Sequence, residues 1–136
     1  MNQIRRVEYF HTTVRDEPGQ AFAVLSALAS QGVNLLAFTA VPMGNDRTRL
    51  TLFPDSPSAL ARVAGQAKLT LEGPYHALLV QGDDHLGELA TIHEKLTEAG
   101  VNVFMSSAVT DGRGAYGYII HIRPAELERA ANALEV

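Results

Sequence analysis

The chain of 136 residues contains no cysteine, which excludes a disulfide framework, a thiol nucleophile and a thiolate metal site. Basic residues are not in excess either: 11 Lys and Arg stand against 15 Asp and Glu, for a formal net charge of −4. Nucleic-acid binding needs a basic stripe to neutralise phosphates, and the sequence has none. Arg5 and Arg6 form an isolated pair that reads as solvated charge at a strand end. Long hydrophobic runs are also missing. The longest, from Ala21 to Ala29, is interrupted by Ser26 and falls far short of the roughly 20 residues that span a bilayer. Met1 to Arg6 is basic but is followed by no apolar segment and no small-residue cleavage site, so the expectation is a cytoplasmic protein without a signal peptide or membrane anchor. What is present is a globular balance, with 46% apolar and 19% charged residues, enough for one ordinary domain or two very small ones sharing a core.

The strongest positive signal is an internal repeat. A shift of 68 positions aligns Asp16 with Asp84, Gly19 with Gly87 and Leu28 with Leu96. It also aligns Gly32-Val33-Asn34 with Gly100-Val101-Asn102, Ala40-Val41 with Ala108-Val109, and Gly44 with Gly112. After a one-residue deletion, Pro57, Leu60 and Arg62 fall on Pro124, Leu127 and Arg129. The matches are collinear and keep glycine and proline, the residues whose backbone demands are hardest to replace.

Each repeat reads alike. Val7 to Val14 is rich in β-branched and aromatic residues and reads as a strand. Asp16-Glu17-Pro18-Gly19 is a turn in which Asp16 is placed to cap the next helix. Phe22, Leu25 and Ala29, with Ala21 and Leu28, recur at helical spacing until Gly32 stops the helix as a left-handed cap. Leu36, Phe38 and Ala40 alternate with Ala37 and Thr39 as a second strand, Gly44-Asn45-Asp46 is hairpin punctuation, and Arg49 to Phe53 is a third. Ser56-Pro57 opens a second helix with an N-cap and a first-turn proline. Leu69-Thr70-Leu71 reads as a fourth strand, ended by Gly73-Pro74. The second repeat runs Tyr75–Gln81, Leu86–Ala99, Asn102–Thr110, Ala115–Ile122 and Ala125–Leu134. It ends on its second helix without a clear last strand. The expected fold class is α+β: two ferredoxin-like βαββαβ repeats, residues 1–73 and 74–136, with antiparallel sheets and helices on one face. The open edge is expected to be covered by the N-terminal strand, the other repeat or a second subunit. Ile119, His121 and Arg123 lie opposite Tyr118, Ile120 and Ile122, a two-faced apolarity that suggests a covered sheet.

A strand, the turn Asp16-Glu17-Pro18-Gly19, a helix and then Gly32-Val33-Asn34 opening the next strand resemble an ACT domain. The resemblance extends over nearly the whole chain, once per repeat, and is clearer in the first. It implies a stand-alone tandem ACT protein: a non-catalytic regulatory or sensor module that binds a free amino acid or similar small metabolite where repeats meet. A homodimer and a metabolic enzyme partner are implied as well, and no cofactor. Carried over residue by residue, the ligand-binding positions are Asp16, Glu17, Pro18, Gly19 and Gln20 with Asn34 and Leu35. In the second repeat they are Asp84, His85, Leu86, Gly87 and Glu88 with Asn102 and Val103. Leu86 departs from the pattern by standing where the proline would be.

These positions also make physical sense apart from the resemblance. A helix N-terminus offers unpaired N–H groups and partial positive charge to a carboxylate, Gly19 lets backbone approach closely, and an asparagine amide both donates and accepts. In the plainer reading Asp16 and Asp84 are caps, and Asn34 and Asn102 turn residues. Other signals point elsewhere. Gly112-Arg113-Gly114-Ala115-Tyr116-Gly117 matches a dinucleotide-binding pattern but lies between two strands, so it reads as a hairpin. His11, His76, His85, His93 and His121 raise the alternative of a metal-dependent enzyme of the vicinal-oxygen-chelate type, which the second helix of each repeat opposes. Glu94, Lys95 and Glu98 read as a solvated helix face, and Ser106-Ser107 has no nucleophile motif around it. A structural adaptor docking on a metabolic enzyme without any small ligand is the remaining alternative.

Overall fold

The computed structural model describes residues 2–136, so that Met1, the first residue of the 1–73 repeat, lies outside the described residues. Two compact units form, one from Glu8–Tyr75 and one from the residues up to Val7 together with His76–Val136. The elements in chain order are strand β1 (Gln3–Arg15), helix α1 (Gln20–Ser30), strands β2 (Leu35–Gly44) and β3 (Arg47–Pro54), and helix α2 (Pro57–Ala67). Strand β4 (Glu72–Asp83), helix α3 (Glu88–Glu98), strands β5 (Val103–Thr110) and β6 (Ala115–Ile122), a 3-10 turn (Pro124–Glu126) and helix α4 (Leu127–Ala133) follow. The α+β, ferredoxin-like organisation expected from the repeat is present.

In the first unit β3 pairs antiparallel with both β1 and β2, placing Leu52 between Phe10 and Phe38. Alternation then sends Phe10, Leu50 and Leu52 to one face, where they pack with Val24 and Leu28 of α1 and Leu60 and Val63 of α2. The buried stripe of α1 is Val24 and Leu28, whereas Phe22 is 73% exposed. This corrects the expected helix face. A helix of 11 residues can bury only one narrow stripe, and Val24–Leu28 at i, i+4 defines it. Ser56 caps α2 by accepting from the Ala59 N–H at 3.4 Å, with Pro57 in the first turn as expected.

The second unit repeats the plan. β6 pairs antiparallel with β4 and β5, and Leu78, Val80, Tyr118, Ile120 and Ile122 pack on Ile92 and Leu96 of α3 and Ala130 of α4. The edge left open by the absent last strand is occupied by the N-terminal part of β1, which lies beside β4. Ile4 packs on the second core, and Arg6 makes a two-pronged ion pair with Glu128 of α4 at 2.6 and 2.9 Å. Arg6 is therefore an anchoring residue and not only solvated charge. The opposed guanidinium also holds the Glu128 carboxyl below the usual carboxylate range, first through the hydrogen bond and then through charge.

Two further expectations are corrected. Leu69-Thr70-Leu71 is not a strand: Leu69 and Leu71 pack against the first core from irregular chain, and the strand beside β1 is the start of β4, which continues through Gly73-Pro74. Pro74 lies ahead of the part of β4 that pairs with β6, which begins at Ala77. Asp16 and Asp84 do not cap α1 and α3. The N-cap residues are Gly19 and Gly87, both left-handed at φ 87° and 86°, and neither cap has a side-chain hydrogen bond.

Candidate functional site

The turn before each first helix is built in the same way in both units. The Asp16 N–H donates to Asp46 O and the Asp84 N–H to Gly114 O, each at 2.8 Å, tying the turn to the neighbouring hairpin. The chain then rises through a left-handed glycine into the helix, so the first helical residue is Gln20 in one unit and Glu88 in the other. In the second unit this turn opens onto a cleft of about 430 Å³, within the size range of small-molecule sites. Asp84, His85, Leu86, Gly87 and Glu88 form one side, Leu89 and Ala90 continue it, and Ala108, Val109, Thr110 and Tyr116 form the other. All five residues expected from this turn are thus brought together.

The chemistry of the cleft is mixed. Leu86 is fully exposed, Val109 is 73% exposed, and both lie over an apolar wall completed by Leu89 and Ala108. Asp84 and Glu88 add two carboxyl-bearing residues to the lining, Glu88 in the first turn of α3. Tyr116 is buried, which pushes its phenol up, and the nearby Glu88 charge pushes it further in the same direction. Its hydroxyl donates to Asn2 Oδ1 at 3.2 Å, while Asn2 Nδ2 donates to Glu88 Oε2 at 3.0 Å. Tyr116 and Asn2 were not among the residues expected from sequence. Tyr116 belongs to the hairpin strand, and Asn2 lies far away in sequence with no motif around it.

Asn102 and Val103 are not part of this cleft. They lie at the other end of β5, in a second depression of about 360 Å³ lined by His93, Thr97, Phe104 and Ser106 among others. From Val103 to Ala108 the strand advances five positions, about 17 Å. His93 there is hydrogen-bonded to the Tyr118 hydroxyl. The first unit separates its candidates likewise. Asn34 O accepts from the Asp55 N–H at 3.0 Å beyond the C-terminus of α1, and Leu35 begins β2. Glu17 lines a smaller polar depression of about 250 Å³ with Arg15, Asn45, Asp46 and Arg47. Pro18 and Gly19 lead to Gln20, which offers no carboxylate where Glu88 does, and Phe22 and Thr48 stand where the second unit has Ala90 and Tyr116.

The histidines do not converge. His11 shares a 2.9 Å hydrogen bond with Thr51, His76 is exposed and His121 is buried on β6. Among the described residues no group of three or more His, Cys, Asp or Glu is placed to hold a metal ion. The glycine-rich stretch is a hairpin as expected: Asp111 Oδ1 accepts the Arg113 and Ala115 N–H groups at 2.6 and 3.1 Å. Among the described residues no helix is long and apolar enough to cross a membrane.

Strand order β2-β3-β1 with the start of β4 beside it, repeated as β5-β6-β4 with the start of β1 beside it, defines a tandem ACT-type fold. Solved structures share it. A protein from Bacteroides thetaiotaomicron superposes with a TM-score of 0.81 at 15% identity, over 97% of this chain and 88% of that one. The ligand-free regulatory subunit of aspartate kinase from Thermus thermophilus gives 0.66 at 16% identity, over 98% and 94%. The corresponding subunit from Thermus flavus gives 0.57 at 18% identity, over 99% and 94%. No known family model matches the sequence, and no curated protein matches it.

Proposed function

We propose that the chain is a non-catalytic regulatory protein that binds a free amino acid through the cleft of its second unit. The observation that carries this reading is the coexistence, in one cleft, of a helix N-terminus, two carboxylates and an apolar wall. A zwitterion is complementary to that arrangement. Its carboxylate fits the first-turn N–H groups of α3, and its ammonium fits Glu88 and Asp84. An aliphatic side chain fits Leu89, Ala108 and Val109. The fold shared with regulatory subunits of aspartate kinase is consistent with the reading.

A regulatory module acts through another protein, a metabolic enzyme or a second copy of itself. Strand β5, Val103–Thr110, supports such association because it is an edge strand carrying no charge and no proline. The test is a thermal-shift screen of the purified chain against the twenty amino acids, with Glu88→Gln as the control. A ligand binding only the folded state at 100 times its Kd adds about 2.7 kcal/mol, which raises Tm by several degrees. The expected result is a selective shift with aliphatic amino acids that Glu88→Gln removes. A flat screen, or shifts indifferent to Glu88→Gln, contradicts the proposal.

A further inference from the structure

The cleft of the second unit has a wall whose geometry is set from the amino-terminal end of the chain. Asn2 donates to Glu88 Oε2 at 3.0 Å and accepts from the Tyr116 hydroxyl at 3.2 Å, so one amide uses both of its functions to hold two cleft residues. Glu88 belongs to α3 and Tyr116 to β6, and further along the same two elements His93 is hydrogen-bonded to the Tyr118 hydroxyl. Asn2 is itself fixed by close packing on β4. A Cβ built on Gly82 would lie 3.0 Å from Asn2 Cα, and its three nearest atoms would all belong to Asn2. From Asn2 the chain continues into Gln3–Val7, the stretch that occupies the open edge of this unit's sheet and is pinned by Arg6 to Glu128. The corresponding position in the first repeat is Thr70, which has no amide to act in this way.

We infer that Asn2 is a positioning residue of the ligand cleft, holding the Glu88 carboxylate where a ligand ammonium meets it and so coupling ligand binding to docking of the N-terminal strand segment. The inference rests on the binding reading above. Its physical basis is preorganisation. A half-buried glutamate still has several rotamers, and a ligand that had to freeze them would lose affinity, whereas the Asn2 amide selects one beforehand. Reciprocity then requires that a ligand engaging the fixed Glu88 stabilises the docked segment as much as docking favours the ligand.

The experiment is calorimetric titration of L-leucine into the full chain and its Asn2→Ala, Glu88→Gln and doubly substituted forms, with hydrogen exchange on the same proteins. Asn2→Ala is expected to weaken binding about tenfold, as for a hydrogen bond to a charged group. The double variant is expected to be no weaker than Glu88→Gln alone, because a residue acting through Glu88 is non-additive with it. Gly82→Ala, which displaces Asn2 without changing a cleft residue, is expected to reproduce the loss. Unchanged affinity in Asn2→Ala, or losses that add in the double variant, overturns the inference. A wild-type chain that binds no amino acid defeats the binding reading, and the free protein then tests the clamp. Asn2→Ala is expected to speed amide exchange in residues 84–90 as well as in 3–7, and faster exchange confined to 3–7 overturns it.

Discussion

His11 shows how one side chain registers its surroundings. In the first unit it lies on the sheet face away from the helices, in edge contact with Tyr9 at 5.5 Å and beside Tyr75 at 5.2 Å, and bonded to Thr51. Burial lowers its affinity for a proton, Arg49 lowers it further, and Glu72 opposes both. A histidine whose folded pKa is depressed binds fewer protons folded than unfolded, so its contribution is fully present above the unfolded value near 6.5 and is lost as pH falls through the window below it. Denaturant unfolding of the wild type should therefore show stability falling from pH 7 to pH 5.5 by an increment that His11→Gln lacks; identical pH profiles would contradict this. At this scale the sequence was only partly legible. The cleft-lining Asp84 and Gly87 could be found because the repeat duplicates them as Asp16 and Gly19, and Glu88 followed from the resemblance alone. Asn2 and Tyr116 could not, since the hydrogen bonds that recruit them join residues 86 and 114 positions apart. The same limit made Asp16 and Asp84 look like caps, when the left-handed glycines had already taken the N-cap positions.

Elements were legible wherever local chemistry dictates them. The left-handed cap at Gly32 has φ 77° and its counterpart Gly100 has 71°, and both helices close by the same bond, Val33 to Leu28 and Val101 to Leu96 at 2.9 Å. Gly19 and Gly87 open the helices in the same conformation, with open space where a Cβ would go. Only backbone strain opposes a side chain there, so Gly87→Ala should cost about 1–2 kcal/mol. Gly65→Ala, within α2 at a position without positive φ, should instead stabilise by about 0.5–1 kcal/mol. Urea unfolding midpoints compare the two directly, and equal effects of one sign would refute the argument. The element the sequence obscured was the start of β4. Gly73-Pro74 punctuates most chains, but here it lies within a strand ahead of the stretch that pairs with β6, and where that pairing begins is a property of the sheet and not of the dipeptide.

At the scale of the whole molecule, the repeat accounts for what each unit lacks. Residues 3–7 stand beside β4 as residues 72–75 stand beside β1, and the two stretches correspond under the 68-residue shift. The last strand missing from the second repeat is thus present earlier in the chain. This is why a reading limited to successive elements finds it absent. The units share a plan but not a cleft: Gln20, Phe22 and Thr48 replace Glu88, Ala90 and Tyr116, which is why ligand binding is proposed for the second unit. The most direct measurement is a ¹H–¹⁵N NMR titration of the full chain with L-leucine. Binding in the proposed cleft should give progressive, saturable shifts at Asn2, at residues 84–90 and at Ala108 to Thr110, with the turn at Asp16 to Gln20 unmoved. Shifts confined to the first unit, or none at all, would contradict it.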